Sequence, residues 1–550
     1  MKPEVRQRGA TRGTQKRVAR LTWLCVFLLC LCAFTCTASG RVTFPDDEVS
    51  FRTAEAFWDR GQVSISPMEK RTGELRGRPT GSFGVVGGRR ARPGEVYGFF
   101  GQALPLLTSP LVGVGDFLFD HGAALWPRAT RGDLQAFGKR TVRGDLRRMA
   151  VVWSSCLISA LAVWVLGAWL LALGLSPSAA VFASLGFGLG TAIWSYTSTY
   201  LSEPLSALCL LSCFWQAQLY RNADRNTPQA RRALMLAAAS AGLALHVHIL
   251  NLLAVPFALT YAYWPARAKG RLEDERPLWM AALGVGVASV LLLGLSQWWR
   301  FGSPFATGRF DHYAHWVWPF EGLAAFAVAP GRSLLLYAPA LAFGLWAWRS
   351  ARARYGFELA CILGLLALRA TFAACRNDWS GGWSLGPRYL IPVIPLLMLP
   401  AALAWQEATT SRRRRFVAAL LALMALQGWL ASHSIAEHML VLSNTRGVDD
   451  YGHLSHWSPD ASPFAGFWQM DGRLRTALWD MDLVQILAVA RLDMLSFGAL
   501  RVALVAKDVS LLVVMCMCGL VGTLAGVGLL RWPPRDAKSG DSALAPGSES

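Results

Sequence analysis

The sequence predicts an all-α integral membrane protein of about twelve transmembrane helices, with amphipathic juxtamembrane helices in a long first outer loop. Three observations carry this expectation. Of 550 residues, 53% are apolar or aromatic and only 16% are charged, against about 25% charged in a soluble domain. The apolar residues fall in runs about 20 long, the length that crosses a hydrocarbon core. Between the runs stand short basic segments, the pattern of positive-inside topology. The same figures exclude a disordered chain, a collagen-like repeat and a small disulfide scaffold.

The elements follow in order. Residues 1–20 form a basic tail, with Lys2, Arg6, Arg8, Arg12, Lys16, Arg17 and Arg20 against a single acid, which places them on the cytoplasmic side. Apolar runs then begin near Leu21, Met149, Ala180, Glu203, Ala233, Leu278, Ser333, Phe357, Tyr389, Phe416 and Val509. The run 233–264 is too long for one span. Basic loops on both its sides require an even number of crossings, so it reads as two short helices. Residues 21–434 then form a transmembrane module with an outer loop at 40–148. Segment 435–508 follows on the outer face, 509–531 is the last transmembrane helix, and 532–550 is a disordered cytoplasmic tail.

Alternating from a cytoplasmic N-terminus puts 221–232, 267–276, 349–354, 412–415 and the chain from 531 inside, all basic. One cluster disagrees: Lys139, Arg140, Arg143, Arg147 and Arg148 stand outside, in a loop too long for the rule to bind strongly. Residues 1–38 also have the order of a signal peptide, ending at Cys36-Thr37-Ala38. Their apolar core is long for one, which favours a retained anchor.

The 54 Lys and Arg against 35 Asp and Glu leave a net charge of +19. No nucleic acid is implied, because the cations are not gathered on one arm with aromatics for stacking. The eleven cysteines lie mostly in apolar runs and show no metal-ligand spacing.

Five segments could carry chemistry. Asp46, Asp47 and Glu48 open an amphipathic stretch after the first span. Adjacent acids near a low-dielectric surface can raise one carboxylate towards a useful general base, although acids also favour a helix N-terminus without any role. The segment 94–115, containing Tyr97, is apolar but broken by Gly and Pro, which suits a re-entrant or interfacial path, or equally a plain loop buried against the bundle. Glu203 begins the fourth span, where a carboxylate either faces a polar interior or stays in the headgroups. His246, His248 and Asn251 fall where the two short helices meet. A His-x-His spacing on a helix points the rings apart, so a hydroxyl or phosphate contact, or a satisfied structural pair, is favoured over a metal. Arg388 stands at the outer mouth of a span, where its guanidinium could grip a phosphate or simply snorkel. The pairs His312/His315 and His453/His456 lie in outer loops without assignment.

The segments PDDEVSF, YGFFGQALPLL, TYLSEPLSALCLL, WWRFGSPFATG, VAPGRSLLLYAP and WSGGWSLGPRYLIP occur in that order between residues 21 and 400. Together they resemble the polytopic GT-C glycosyltransferases, which include protein O-mannosyltransferases, lipid A aminoarabinose transferases and uncharacterised bacterial relatives. The resemblance implies a donor sugar on a polyprenyl phosphate and an active site on the outer face of the cell membrane. The sugar passes, with inversion, to an acceptor in the cell envelope: a glycolipid, a polysaccharide or a protein. It implies Asp47 as general base, Glu48 as acceptor orienter or second acid, and Asp46 as a close rival. Arg388, Arg147 and Arg148 would hold the donor phosphate. Glu203, His246, Asn251 and Tyr97 are further site candidates.

Two departures matter. Relatives often carry Arg or Lys in the hairpin turn where this chain has His246 and His248, and neutral imidazole holds a phosphate less strongly. Either His248 substitutes for that cation or the phosphate is held elsewhere. The Arg/Gly-rich stretch 70–94 reads as a flexible insertion. No cofactor is required by these residues; a divalent cation stays open, since some branches use one. Two competing readings remain. A lipid-linked-sugar flippase or secondary transporter would call for inverted repeats and midplane charges, which the sequence lacks. A non-catalytic envelope scaffold would have no need of the acids.

Overall fold

The structure, a computed structural model, describes residues 3–38, 42, 45–65, 85–87, 96–122, 142–307, 315–446, 451–469 and 521–522. Helix α1 (Pro3–Thr37) holds the first apolar run and α2 (Pro45–Arg60) the acidic motif. Strands β1 (Val85–Gly87) and β2 (Val96–Gly98) pair antiparallel, with Val86 opposite Tyr97. Then come α3 (Ala103–Gly122), α4 (Val142–Ala172), α5 (Pro177–Leu189), α6 (Ile193–Tyr196), α7 (Glu203–Asn222) and α8 (Pro228–Val247). A 3-10 turn, Ile249–Ala254, leads to α9 (Val255–Ala268), α10 (Arg271–Asp274) and α11 (Arg276–Phe301). Next are α12 (Phe320–Val328), α13 (Leu334–Tyr337), a 3-10 stretch Pro339–Ala347 and α14 (Trp348–Ala374). The 3-10 turn Arg388–Val393 precedes α15 (Ile394–Leu397), α16 (Leu399–Glu407), α17 (Thr410–Ala431), α18 (Ile435–Arg446) and α19 (Tyr451–Trp457). The all-α membrane architecture expected from the sequence is present.

Eight described stretches are long and apolar enough to cross a bilayer: Arg20–Thr37, Ala103–His121, Leu146–Ala172, Ile249–Ala268, Arg276–Phe301, Pro339–Ala374, Arg388–Glu407 and Thr410–Ala431. The differences from twelve have visible causes. The run near Ala180 makes a 13-residue helix. Those from Ser333 and Phe357 merge in the 36-residue stretch Pro339–Ala374, bent at Tyr355 (φ −125°, ψ 32°) rather than split by a loop. Helices α7 and α8 have 20 residues each, about 30 Å, but Glu203, Arg221, Arg231 and Arg232 dilute their ends. The last expected span and the tail after it lie outside the described residues, apart from 521–522, as do 470–508 and most of 70–94.

Segment 94–115 is the clearest correction. Instead of a broken path it runs into one continuous 20-residue helix, α3, with Pro110 inside it. Proline has no N–H to offer the carbonyl four residues back, but the Ser109 hydroxyl donates to Leu106 O at 2.9 Å. That substitute donor keeps the turn satisfied in an apolar setting.

The core forms where α4 and α7 pack together, flanked by α5 and α8, around fully buried Trp169, Phe187, Tyr220 and Tyr261. Helix α11 is the opposite case. It packs on α8 but leaves Met280, Leu283, Val287, Leu291 and Leu295 exposed along its length. An apolar surface of that extent belongs against lipid.

Candidate active site

The acidic motif meets the end of α7 and the turn Arg388–Val393 at one end of the bundle. Pro45 opens α2 with a fixed φ, and three acids in the first turn suit the positive end of the helix dipole. Helical periodicity then separates their fates. Asp47 shares a stripe with Ser50, Phe51 and Ala54, and all four are buried. Asp46 and Glu48 flank that stripe, each side chain 31% exposed.

Asp46 faces Arg388. Its Oδ2 lies 2.9 Å from Arg388 Nη1, while Arg388 Nε donates to Glu203 Oε1 at 2.6 Å. Glu203 is 3% exposed in the first turn of α7, so the polar-interior alternative holds and the headgroup one does not. Nη1 also donates to Gly381 O at 3.1 Å. Asp46 and Arg388 line a small cleft together with Ser50, Phe100, Gly101, Leu104, Pro105, Leu201 and Ser202.

Asp47 is fully buried and does not line this cleft. Among the described residues neither of its oxygens has a hydrogen-bond partner. Burial pushes its pKa well above the usual carboxylate range. Asp46 and Glu203 add to the rise, and the nearby Tyr200 backbone and Arg388 oppose it. Glu48 is the contrary case. Burial would raise it, but the Arg148 fork (Nε 2.9 Å, Nη2 2.6 Å) and Arg52 Nε at 2.8 Å hold it down to about 2.

This geometry separates the arginines expected to share a phosphate. Arg147 bonds Asp116 Oδ1 at 2.8 Å, Asp59 Oδ2 at 3.0 Å and Glu55 Oε1 at 3.2 Å. Arg148 is spent on Glu48 and stacks on the Phe51 ring at 4.6 Å. Both pin α2 to α4, on a different side of α2 from Arg388. Arg148→Ala should therefore act on stability. The expected loss is about 2 kcal/mol, between an exposed and a buried pair, read as a lower melting temperature in detergent at pH 7. Because Glu48 falls from 4.5 to about 2 on folding, this contribution is complete above about pH 4.5 and vanishes as pH falls through about 2. An equal wild-type-to-variant gap at pH 7 and pH 2 would contradict it.

The hairpin residues act as a joint. His248 ends α8, and its Nδ1 accepts from the Leu250 N–H at 3.1 Å, capping the 3-10 turn. Asn251 Nδ2 donates to Ala244 O at 2.8 Å and Ser206 Oγ at 3.0 Å. Its Oδ1 accepts from Arg369 Nη1 at 2.9 Å. His246, two residues before His248, is half-buried. His248 lies edge-on to Tyr389 with centroids 6.3 Å apart, next to the site and not lining its cleft. Tyr97 is buried in β2, whose Gly98 carbonyl accepts from Arg300 at 2.9 Å. Among the described residues no group of three or more His, Cys, Asp or Glu side chains gathers to hold a divalent cation, and Asp46 and Glu203 both face Arg388.

Three buried arginines carry weight that the sequence reading did not give them: Arg300, Arg332 and Arg369. The signal was available, because an arginine within or beside an apolar run is costly unless carbonyls or acids receive it. The turn before Arg388 also depends on glycine. Gly381 and Gly386 have φ of +75° and +67°. An added Cβ would meet Arg388 Cβ at 2.8 Å and the Tyr337 ring at 2.5 Å.

Residues 148–271 match the family model of the protein O-mannosyl-transferase TMEM260 N-terminal domain. That stretch is similar to this family's domain. It bears out the resemblance to GT-C glycosyltransferases and contains Arg148, Glu203, His246, His248 and Asn251, but neither the acids of α2 nor Arg388. Among solved structures, the chain is similar to ArnT from Cupriavidus metallidurans in two states. For the apo state identity is 15% over 94% of this chain and 78% of that one, with a TM-score of 0.47. For the form bound to undecaprenyl phosphate identity is 15% over 92% and 77%, with a TM-score of 0.49. It is also similar to the archaeal oligosaccharyltransferase AglB from Archaeoglobus fulgidus in complex with an inhibitory peptide and a dolichol-phosphate. There identity is 12% over 82% of this chain and 61% of that one, with a TM-score of 0.43. No curated protein matches.

Proposed function

We propose that this protein is a membrane glycosyltransferase that moves a sugar from a polyprenyl-phosphate donor to an acceptor hydroxyl at the cleft between Asp46 and Arg388. The observation that carries the reading is that pairing: a carboxylate and a nearly buried guanidinium, 342 residues apart, meet at the mouth of one cleft. Transfer from a lipid phosphate calls for these two groups, a base beside the acceptor and a cation at the leaving phosphate.

In the reaction, the donor phosphate takes Asp46's place on Arg388 Nη1, leaving Glu203 to orient the guanidinium from Nε. The freed Asp46 carboxylate accepts the acceptor's O–H proton. The acceptor oxygen bonds to the anomeric carbon as the carbon–oxygen bond to phosphate breaks, and polyprenyl phosphate leaves with that electron pair. Attack from the side opposite the phosphate inverts the anomeric centre. This moves the role of base from Asp47, favoured by the resemblance, to Asp46. A base must reach substrate, and Asp47 is fully buried and does not line the cleft.

The site is assigned to the outer face. Glu203 and Arg221 stand near opposite ends of α7, about 27 Å apart at the helical rise, with the basic segment 221–232 following the far end. Positive-inside topology puts that end in the cytoplasm and Glu203 outside. The acceptor is a glycolipid, polysaccharide or protein of the envelope.

The test is a transfer assay in membranes with radiolabelled polyprenyl-phosphate sugars. Label should move to an envelope acceptor with wild type. If no donor gives transfer and the purified protein fails to bind polyprenyl phosphate, the reading falls.

A further inference from the structure

We infer that Arg332 is a positioning residue for this transfer: it clamps the glycine turn that carries Arg388 and locks it to the segment around His456. The inference rests on the proposed role of Arg388 as the phosphate-holding cation. Arg332 is 2% exposed between α12 and α13, and among the described residues no carboxylate pairs with it. Its two Nη groups are spent on one short stretch of chain. Nη2 donates to Gly382 O at 2.7 Å, and Nη1 to Gly386 O at 2.9 Å, Ser384 Oγ at 3.2 Å and the Ser384 carbonyl.

These acceptors span the turn that ends at Arg388, so one planar fork fixes both sides of it. A buried cation is costly, and only several convergent carbonyl dipoles offset it. Burial lowers Arg332 to about 10, which leaves it cationic at neutral pH.

The fifth contact reaches outside the turn. Arg332 Nε donates to His456 Nδ1 at 3.2 Å, and the Gly331 N–H donates to His456 O at 3.0 Å. Trp379, at the start of the turn, lies against the His456 ring with centroids 5.4 Å apart. An imidazole nitrogen can accept only when neutral. Burial, with Arg332 and His453 nearby, holds His456 down to about 2. The lock therefore stays closed across the working pH range. The 451–469 segment, which the sequence reading left without a role, is tied through it to the phosphate end of the cleft.

The experiment uses the full chain in nanodiscs, with undecaprenyl phosphate as probe and tryptophan fluorescence as the binding signal. Melting temperature is recorded alongside. Arg332→Lys keeps the charge but cannot present a fork to four carbonyl and hydroxyl oxygens. It should weaken undecaprenyl phosphate at least tenfold while the protein remains folded. His456→Gln, which keeps an acceptor, should stay within threefold of wild type, and His456→Ala should fall between the two.

Arg332→Lys binding the probe as tightly as wild type, with Arg388→Ala impaired, overturns this inference and leaves the proposed function standing. Arg388→Ala also binding normally overturns the role of Arg388 itself. If Arg332→Lys does not fold, the His456 pair decides: equal binding by His456→Ala and wild type sinks the lock.

Discussion

Arg388→Ala should lower kcat/KM for the polyprenyl-phosphate donor by roughly 10²–10³-fold, the scale seen when one preorganised donor to a developing anion is removed. The acceptor KM should change little. The reason lies in how the guanidinium is held. Glu203 takes Nε at 2.6 Å and Gly381 O takes one direction of Nη1, so the Nη edge facing the cleft is fixed before any ligand arrives. Only Asp46 has to move aside. Arg388→Lys keeps the charge and loses the fork, and should fall between wild type and alanine. Removing Arg388 also leaves Glu203 buried without its cation, at a cost of about 3–5 kcal/mol. Melting temperature must therefore be measured with the kinetics. The double variant Arg388→Ala with Glu203→Gln removes that stranded charge. Recovery of stability without recovery of donor use would separate the structural cost from the chemical one. An unchanged donor dependence in a folded Arg388→Ala variant would contradict the assignment.

Much of this was legible in the chain. Run length and basic loops gave a helical membrane bundle, and the stripe that buries Asp47 with Phe51 and Ala54 is plain helical periodicity. Glu203, Arg388 and the acid cluster could be named because each is a charge at the end of an apolar run. What the sequence could not give was which charges meet. Arg147 and Arg148 look equivalent to Arg388 by composition, but α4 carries them to Glu55, Asp59, Asp116 and Glu48 instead. Long-range pairing of that kind depends on helix rotation, and one residue of shift moves a side chain by about 100°. The count of spans missed for a related reason. Tyr355 bends a helix that hydropathy reads as two, and Pro110 stays inside α3 because Ser109 replaces its missing donor. Arg332, in the turn between α12 and α13, and Arg369, inside α14, stayed hidden because most of their acceptors are backbone carbonyls that no side-chain pattern announces.

Asp46→Asn should reduce the transfer rate by about 10²–10⁴-fold, the contribution of a positioned general base. Asn keeps the size and can still contact Arg388 through its amide oxygen, so donor affinity and folding should hold and the loss should appear in kcat. Asp47→Asn provides the discriminating comparison. Asp47 is fully buried, among the described residues neither oxygen has a hydrogen-bond partner, and burial pushes its pKa well above the usual carboxylate range. The amide keeps the size and shape of the carboxyl it replaces. Its effect should stay below about tenfold if Asp46 is the base. The opposite pattern, Asp47→Asn inactive and Asp46→Asn active, would return the role to Asp47 and require the first turn of α2 to rotate during the cycle. The pH dependence then separates the two cases. A base with a carboxyl raised by burial loses activity as pH falls below that raised pKa. The acid limb of kcat should therefore lie well above the ordinary carboxylate range if Asp47 is the base, and should not follow Asp47 if Asp46 is.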